Sequence, residues 1–165
     1  MIREKKEFKF ELKSIDDTGT FGGYASVFGE VDSYSDVVER GAFKKSLSEH
    51  KSFPLLWSHQ TTEPIGVISG REDNTGLAVQ GQVALDVQRG REVHALMKLG
   101  AVSGLSIGYE AIKSEPDYGI RRLREIRLWE VSPVVFPACD SARIAEVKAA
   151  DEKNRILCLL EMIRL

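Results

Sequence analysis

Hydrophobic and polar residues alternate along much of the chain, which is the pattern of strands that bury one face and expose the other. Turn residues, mainly Gly, Asn, Asp and Pro, separate the alternating runs. The predicted strands are residues 7–13, 21–28, 53–59, 65–69, 77–85, 105–113 and 122–131, with a further short strand at residues 37–38. Because short turns link most of these strands, the pattern predicts a largely antiparallel sheet.

Apolar residues at helical spacing predict helices over residues 41–50, 86–99, 140–150 and 151–165, which makes the fold class α+β. The last helix has an apolar stripe formed by Ile156, Leu159, Leu160 and Ile163. The chain has 165 residues and neither a repeat nor a linker. We therefore expect one domain over residues 1–150, followed by a C-terminal amphipathic helix over residues 151–165.

Composition and charge exclude several classes of function. A formal net charge of -2 argues against a general nucleic-acid-binding protein. Cys139 and Cys158 lack the C-x-x-C spacing, which indicates a reducing, intracellular setting without a disulfide framework. No apolar segment follows the charged N-terminus and no 18-residue apolar run occurs, so we expect neither a secreted nor a membrane protein. Without clustered Cys and His ligands, no metal or other cofactor is expected.

The candidate chemistry begins with Ser106, which has a glycine two residues to each side, at Gly104 and Gly108. Glycines on the face of a strand leave bare backbone beside a hydroxyl, where a peptide or acyl group could approach. The alternative is a glycine-rich strand at a bulge, with an incidental serine. The same residues match G-x-S-x-G, the nucleophile elbow of the α/β-hydrolases, but that motif requires a helix after the serine. Here an extended alternation follows instead, and all three histidines precede Ser106, which disfavours an esterase of that class.

The hairpin formed by the last two predicted strands brings an acid toward this serine. With a turn near Asp117 and Tyr118, Ser106 should lie approximately opposite Glu130. A carboxylate at that position replaces an apolar side chain on its face and needs a partner if it is buried. His59 ends the apolar run that begins at Phe53 and could lie between the two side chains. Such a set could act as a serine nucleophile, a histidine base and an orienting acid.

Several motifs in order resemble the prohead protease family of tailed bacteriophages, which is similar to the herpesvirus assemblin proteases. They are Asp36 with Gly41-Ala-Phe43, Trp57-Ser-His59, Gly104-Leu-Ser-Ile-Gly-Tyr109, Trp129-Glu-Val-Ser-Pro133 and Phe136-Pro-Ala138, within a match from about Phe8 to Val147. The resemblance implies a mostly antiparallel β-barrel surrounded by helices, and a serine endopeptidase. It also implies that Ser106 is the nucleophile, His59 the base and Glu130 the third member, with backbone N–H groups near Ser106 holding the oxyanion.

By the same resemblance, the substrates would be the major capsid protein or a scaffold protein, cleaved inside the assembling procapsid in the bacterial host cytoplasm. No nucleic-acid or membrane partner is expected. The alternative from another class is a non-catalytic capsid assembly or scaffold docking module that retains the barrel. Such proteases often carry a longer C-terminal region, so a chain ending at Leu165 would be a trimmed form or would rely on its last helix for that role.

The stripe of the C-terminal helix could pack on the chain's own barrel, where it would complete the core, or on a second copy of the chain. The resemblance to the assemblin proteases implies pairing through helices, so we expect self-association. Exposed apolar side chains of this size contribute about 1.5–3 kcal/mol each when a second copy buries them. We expect the wild-type chain to sediment as an oligomer, and a Leu159→Asp, Ile163→Asp double variant to sediment as a smaller species. Circular dichroism would establish that both are folded. Equal masses for two folded proteins would contradict an oligomer interface in this helix.

Overall fold

Strands predominate in the structure, a computed structural model that describes residues 15–144. In chain order, the elements are β1 (Thr20–Val27), β2 (Asp36–Val38), α1 (Lys44–Glu49), β3 (Phe53–Leu56), β4 (Pro64–Glu72), β5 (Gly76–Val83), α2 (Gln88–Lys98), β6 (Gly104–Asp117) and β7 (Ile120–Val134). The predicted strand at residues 7–13 and the predicted helix at residues 151–165 lie outside the described residues. Neither described helix is long and apolar enough to cross a membrane.

The strands form one curled sheet in the order β1-β5-β4-β3-β7-β2, with β6 also paired to β7. Its neighbours are mostly antiparallel, but β2 and β3 run parallel to β7. Residues 142–144 link the edges of β1 and β6, because Tyr24 N donates to Arg143 O at 3.1 Å and Leu105 N donates to Ala142 O at 2.9 Å. The result is a half-barrel whose edges are bridged by this segment.

The helices differ from the prediction. The helices predicted at residues 41–50 and 86–99 are confirmed with shorter bounds, as α1 and α2. The helix predicted at residues 140–150 is wrong over its described part, because residues 140–144 form a turn followed by β-bridges to Gly23 and Gly104. Pairing with two sheet edges satisfies these backbone groups and outweighs the helical periodicity. The described residues therefore do not confirm a ring of helices around the barrel.

The hydrophobic core fills the concave side of the sheet. Its largest fully buried side chains are Phe21, Phe43, Ile15, Leu55, Ile65, Ile68, Leu77, Leu105, Leu123 and Ile126. Burying each of them contributes about 1.5–3 kcal/mol. Helix α1 is anchored to β7 by the buried Ser46, whose hydroxyl donates to Ile126 O and accepts from Leu128 N–H, both at 2.9 Å.

An ion pair between the buried Asp36 and the half-exposed Arg121 joins β2 to the β6–β7 hairpin. Asp36 is only 3% exposed. It accepts hydrogen bonds from Arg121 Nε at 2.8 Å, from Arg121 Nη2 at 2.6 Å and from Tyr109 Oη at 2.7 Å. The Arg121 guanidinium holds the pKa of Asp36 below its usual range, although burial acts in the opposite direction. The carboxylate therefore remains charged and fixes β2 against the hairpin.

The Asp36 pair predicts a loss of stability in acid. Because the folded pKa lies below the unfolded value of about 3.9, the contribution is complete above that pH and is lost as the pH falls through the folded pKa. We expect Asp36→Asn to lower the free energy of unfolding by about 1–3 kcal/mol at neutral pH and to flatten its decline in acid. Urea unfolding across this pH range measures both effects.

Asp17→Asn is the matched control for this prediction. Asp17 pairs with Lys98 but its side chain is 89% exposed, so its loss should leave stability nearly unchanged. Equal destabilisation by Asp36→Asn and Asp17→Asn would contradict a specific role for the buried Asp36 carboxylate.

Candidate active site

The β6–β7 hairpin sets the positions of the serine and the acid. Its two-residue turn consists of Tyr118, with φ 45°, and Gly119, with φ 88°, as in the type I′ turns that match the twist of a hairpin. Ser106 pairs with Ser132, and Gly108 pairs with Glu130. The sequence predicts that Ser106 lies approximately opposite Glu130, and in the structure it lies two residues away from direct opposition.

Two features of the hairpin explain this difference. The turn is centred one residue later than predicted, on Tyr118 and Gly119. A register shift then pairs Gly108 with Glu130 and Tyr109 with Leu128, which leaves Trp129 without a partner on β6. A bulge of this kind re-aims the side chains that follow it. Glu130 is consequently the diagonal neighbour of Ser106, within reach of a bridging side chain.

His59 lies in a tight turn between β3 and β4. The strand ends at Leu56, so the prediction of a strand through His59 is wrong at its end. Ser58 and His59 both adopt the left-handed backbone region, with φ 48° and 63°, which costs about 1–2 kcal/mol for each non-glycine residue. The His59 backbone N–H donates to Ser132 Oγ at 3.0 Å, which supports this turn from β7.

The Glu130 carboxylate contacts the His59 ring. Glu130 is 7% exposed, and its Oε1 lies 2.6 Å from His59 Nδ1. Its Oε2 accepts a hydrogen bond from Ser132 Oγ at 2.6 Å. Since an ionised carboxylate can only accept, Nδ1 must carry the proton in this pair. In the neutral ring Nε2 is then the basic nitrogen, the arrangement that a histidine base requires.

Ser106 and His59 line the same open cavity, together with Gly108, Tyr109 and Asp36. The backbone of Ser106 pairs with that of Ser132, and within residues 15–144 no hydrogen bond is recorded for the Ser106 side chain. Catalytic hydrogen bonds are often loose before substrate binds, so this geometry is compatible with a serine that the histidine activates. The structure thus brings His59 into contact with Glu130 and places Ser106 in the cavity beside them.

The glycines around Ser106 serve packing within the protein. A Cβ at Gly108 would lie 2.2 Å from Glu130 Oε1, and a Cβ at Gly104 would lie 2.6 Å from Pro137 Cδ. The predicted bare backbone for an approaching substrate is therefore occupied by these two side chains. Gly108 is the residue that allows the carboxylate to reach the histidine.

The other two histidines lie elsewhere. His94 Nε2 is 2.8 Å from the backbone oxygen of Asp16, a structural contact. His50 ends α1 and its ring meets Phe53 edge-on. No group of His, Cys, Asp and Glu that could hold a metal ion occurs within residues 15–144.

Sequence reasoning missed Ser132. The residue is fully buried and contacts both the acid and the backbone of the histidine turn. The available signal was its position two residues after Glu130 on the same strand, which places both side chains on one face. This signal becomes informative only after the register of β6 and β7 is known.

Comparison with solved structures identifies the fold as that of the herpesvirus proteases. The varicella-zoster virus protease matches with a TM-score of 0.53 over 87% of this chain and 76% of that chain, at 11% sequence identity. The KSHV protease, solved with a hexapeptide phosphonate inhibitor, matches with a TM-score of 0.51 over 88% of this chain and 76% of that chain, at 9% identity.

Residues 8–155 match the family model described as the caudovirus prohead serine protease, and the chain belongs to this family. It is similar to the prohead protease of Enterobacteria phage HK97, with 37% identity over 81% of this chain and 62% of the relative. It is also similar to the capsid polyprotein of Pseudomonas phage PAJU2, with 34% identity over 88% of this chain and 22% of the relative. The chain thus spans less than two thirds of the length of these curated relatives.

The contact between Gly108 and Glu130 yields a prediction. In Gly108→Ala the new methyl group should push the Glu130 carboxylate away from His59. Because the end of a side chain can move, we expect a modest change in melting temperature but a large loss of reaction with a serine-directed phosphonate, measured by mass spectrometry.

Gly70→Ala is the matched control, since Gly70 also lies in a strand and its Cβ would meet Leu77 Cδ1 at 3.0 Å. Its reactivity should stay close to that of the wild type. Equal phosphonate labelling of the Gly108→Ala variant and the wild type would contradict a functional reason for this glycine.

Proposed function

We propose that this protein is a serine endopeptidase that uses Ser106 as nucleophile, His59 as general base and Glu130 as orienting acid. The observation that carries the proposal is the 2.6 Å contact between His59 Nδ1 and Glu130 Oε1 beside a cavity that Ser106 also lines. Membership of the prohead serine protease family supports the same chemistry.

The reaction would proceed by acyl transfer. Ser106 Oγ attacks the carbonyl carbon of the scissile peptide bond while its proton passes to His59 Nε2. Glu130 stabilises the resulting imidazolium, and backbone N–H groups near Ser106 stabilise the oxyanion. When the intermediate collapses, the C–N bond breaks and Nε2 returns the proton to the leaving amine. Water then attacks the acyl-enzyme with His59 again as base, which releases the acid product and free Ser106.

The proposed substrates are extensions of the major capsid protein or a scaffold protein, cleaved within the procapsid of an infected bacterium. The family description supports this assignment, as does the similarity to a relative named as a capsid polyprotein. Self-association through residues 151–165 would be compatible with the crowded interior of a procapsid. The proposal includes no metal, nucleic-acid or membrane partner.

Active-site substitutions test the mechanism. The wild-type chain incubated with the capsid or scaffold protein of its own phage should produce shortened products in intact mass spectra. Ser106→Ala and His59→Ala should each reduce kcat by roughly 10⁴- to 10⁶-fold, and the double variant should be little worse than either. Glu130→Gln should lose less, about 10⁴-fold at most, because the acid orients the histidine without transferring a proton.

His94→Ala and Ser69→Ala are the matched controls and should retain activity, since neither residue lines the cavity. A chelator wash should also leave the wild-type rate unchanged. Undiminished cleavage by Ser106→Ala would contradict the proposed nucleophile. A folded wild-type protein that binds capsid protein without cleaving it would favour the docking module instead.

A further inference from the structure

One buried hydroxyl connects the acid to the backbone that carries the histidine. Ser132 is 0% exposed, its Oγ lies 2.6 Å from Glu130 Oε2, and the same oxygen lies 3.0 Å from the backbone nitrogen of His59. A backbone N–H can only donate, and an ionised carboxylate can only accept. The Ser132 hydroxyl must therefore accept from His59 and donate to Glu130, so both of its hydrogen bonds have one possible direction.

The turn at His59 needs such an anchor. Ser58 and His59 hold left-handed backbone angles, which persist only where surrounding contacts enforce them. The His59 side chain is 43% exposed, so packing alone holds it weakly. Among the described residues, the polar contacts recorded from the His59 backbone and ring to β7 are those with Ser132 and Glu130. Loss of the hydroxyl would remove the backbone contact and weaken the restraint on the carboxylate.

We propose that Ser132 is a positioning residue of the active site, which sets the distance and orientation between His59 and Glu130. This inference rests on the proposed function of the Ser106, His59 and Glu130 set. Ser132 transfers no proton to the substrate. It acts through the other two residues by fixing the carboxylate on one side and the backbone of the histidine on the other.

The chain supplies a control serine with comparable burial and hydrogen bonding. Ser46 is 3% exposed, and its hydroxyl also donates one hydrogen bond and accepts another, both to β7. It lies on α1 and does not line the cavity that contains Ser106. Ser132→Ala and Ser46→Ala therefore remove comparable buried hydrogen bonds, but only the first touches the proposed site.

The test compares these two variants with the wild type and with Ser106→Ala. The substrate is a fluorogenic peptide that spans the cleavage site mapped by mass spectrometry on the phage's own capsid or scaffold protein. We expect similar decreases in melting temperature for the two buried-serine variants. Ser132→Ala should lose about 10²-fold in kcat with little change in KM, because a small misplacement of catalytic groups has an effect of this size. Ser46→Ala should keep a kcat close to that of the wild type.

A spectroscopic readout separates positioning from general destabilisation. The proton that His59 Nδ1 donates to Glu130 should give a low-field ¹H NMR signal in the wild type, assigned by its absence in His59→Ala. This signal should shift or disappear in Ser132→Ala and remain in Ser46→Ala. If Ser132→Ala does not fold, Ser132→Cys and Ser46→Cys replace the two variants, with the larger kcat loss again expected at position 132.

The possible failures are distinguishable. A folded Ser132→Ala variant that matches Ser46→Ala in kcat, or that retains the wild-type low-field signal, would overturn the positioning role. If the positioning role fails in this way but Ser106→Ala is inactive in the same experiment, the proposed protease mechanism still stands, without a role for Ser132. If Ser106→Ala cleaves as well as the wild type, the proposed function itself fails.

Discussion

The burial of the Glu130 carboxylate is the constraint on which the site depends. A carboxylate that is 7% exposed would be costly without partners, and here each oxygen has one, the His59 ring and the Ser132 hydroxyl. The absence of a side chain at Gly108 leaves the space that the carboxylate occupies. These residues come from β6, from β7 and from the turn after β3, so the acid also ties three parts of the sheet together.

The topology of the sheet brings these parts together. Strand β3 runs parallel to β7, with Leu55 paired to Val131, so the turn that follows β3 passes beside Glu130 and Ser132. Strand β6 runs antiparallel to β7 along the opposite edge of β7, and it places Ser106 opposite Ser132, two residues from Glu130 on the same face. The long β7 strand is therefore the common reference for all members of the proposed site.

Two carboxylates are buried among residues 15–144, and the basic side chains that they contact have different chemical properties. Asp36 pairs with Arg121, whose guanidinium stays protonated at any pH at which the protein folds. This pair holds the hairpin, and its guanidinium has no lone pair that could accept a proton. Glu130 pairs with Nδ1 of the His59 ring, which leaves the second ring nitrogen, Nε2, outside this contact. The second pair therefore contains a nitrogen that can accept a proton, which is the property that the proposed mechanism requires.

The sequence by itself determined the strands, α1 and α2. A strand or helix that buries one face needs apolar residues at alternating or helical spacing, and this spacing is visible in the sequence. It also singled out Ser106, His59 and Glu130 through residue type, motif order and an approximate hairpin. Tertiary structure decided the register, since the turn at Tyr118 and Gly119 and the unpaired Trp129 moved Ser106 opposite Ser132. It decided that residues 142–144 bridge two sheet edges despite their helical pattern. It also revealed the roles of Gly108 and Ser132, because both depend on contacts between strands that local patterns do not encode.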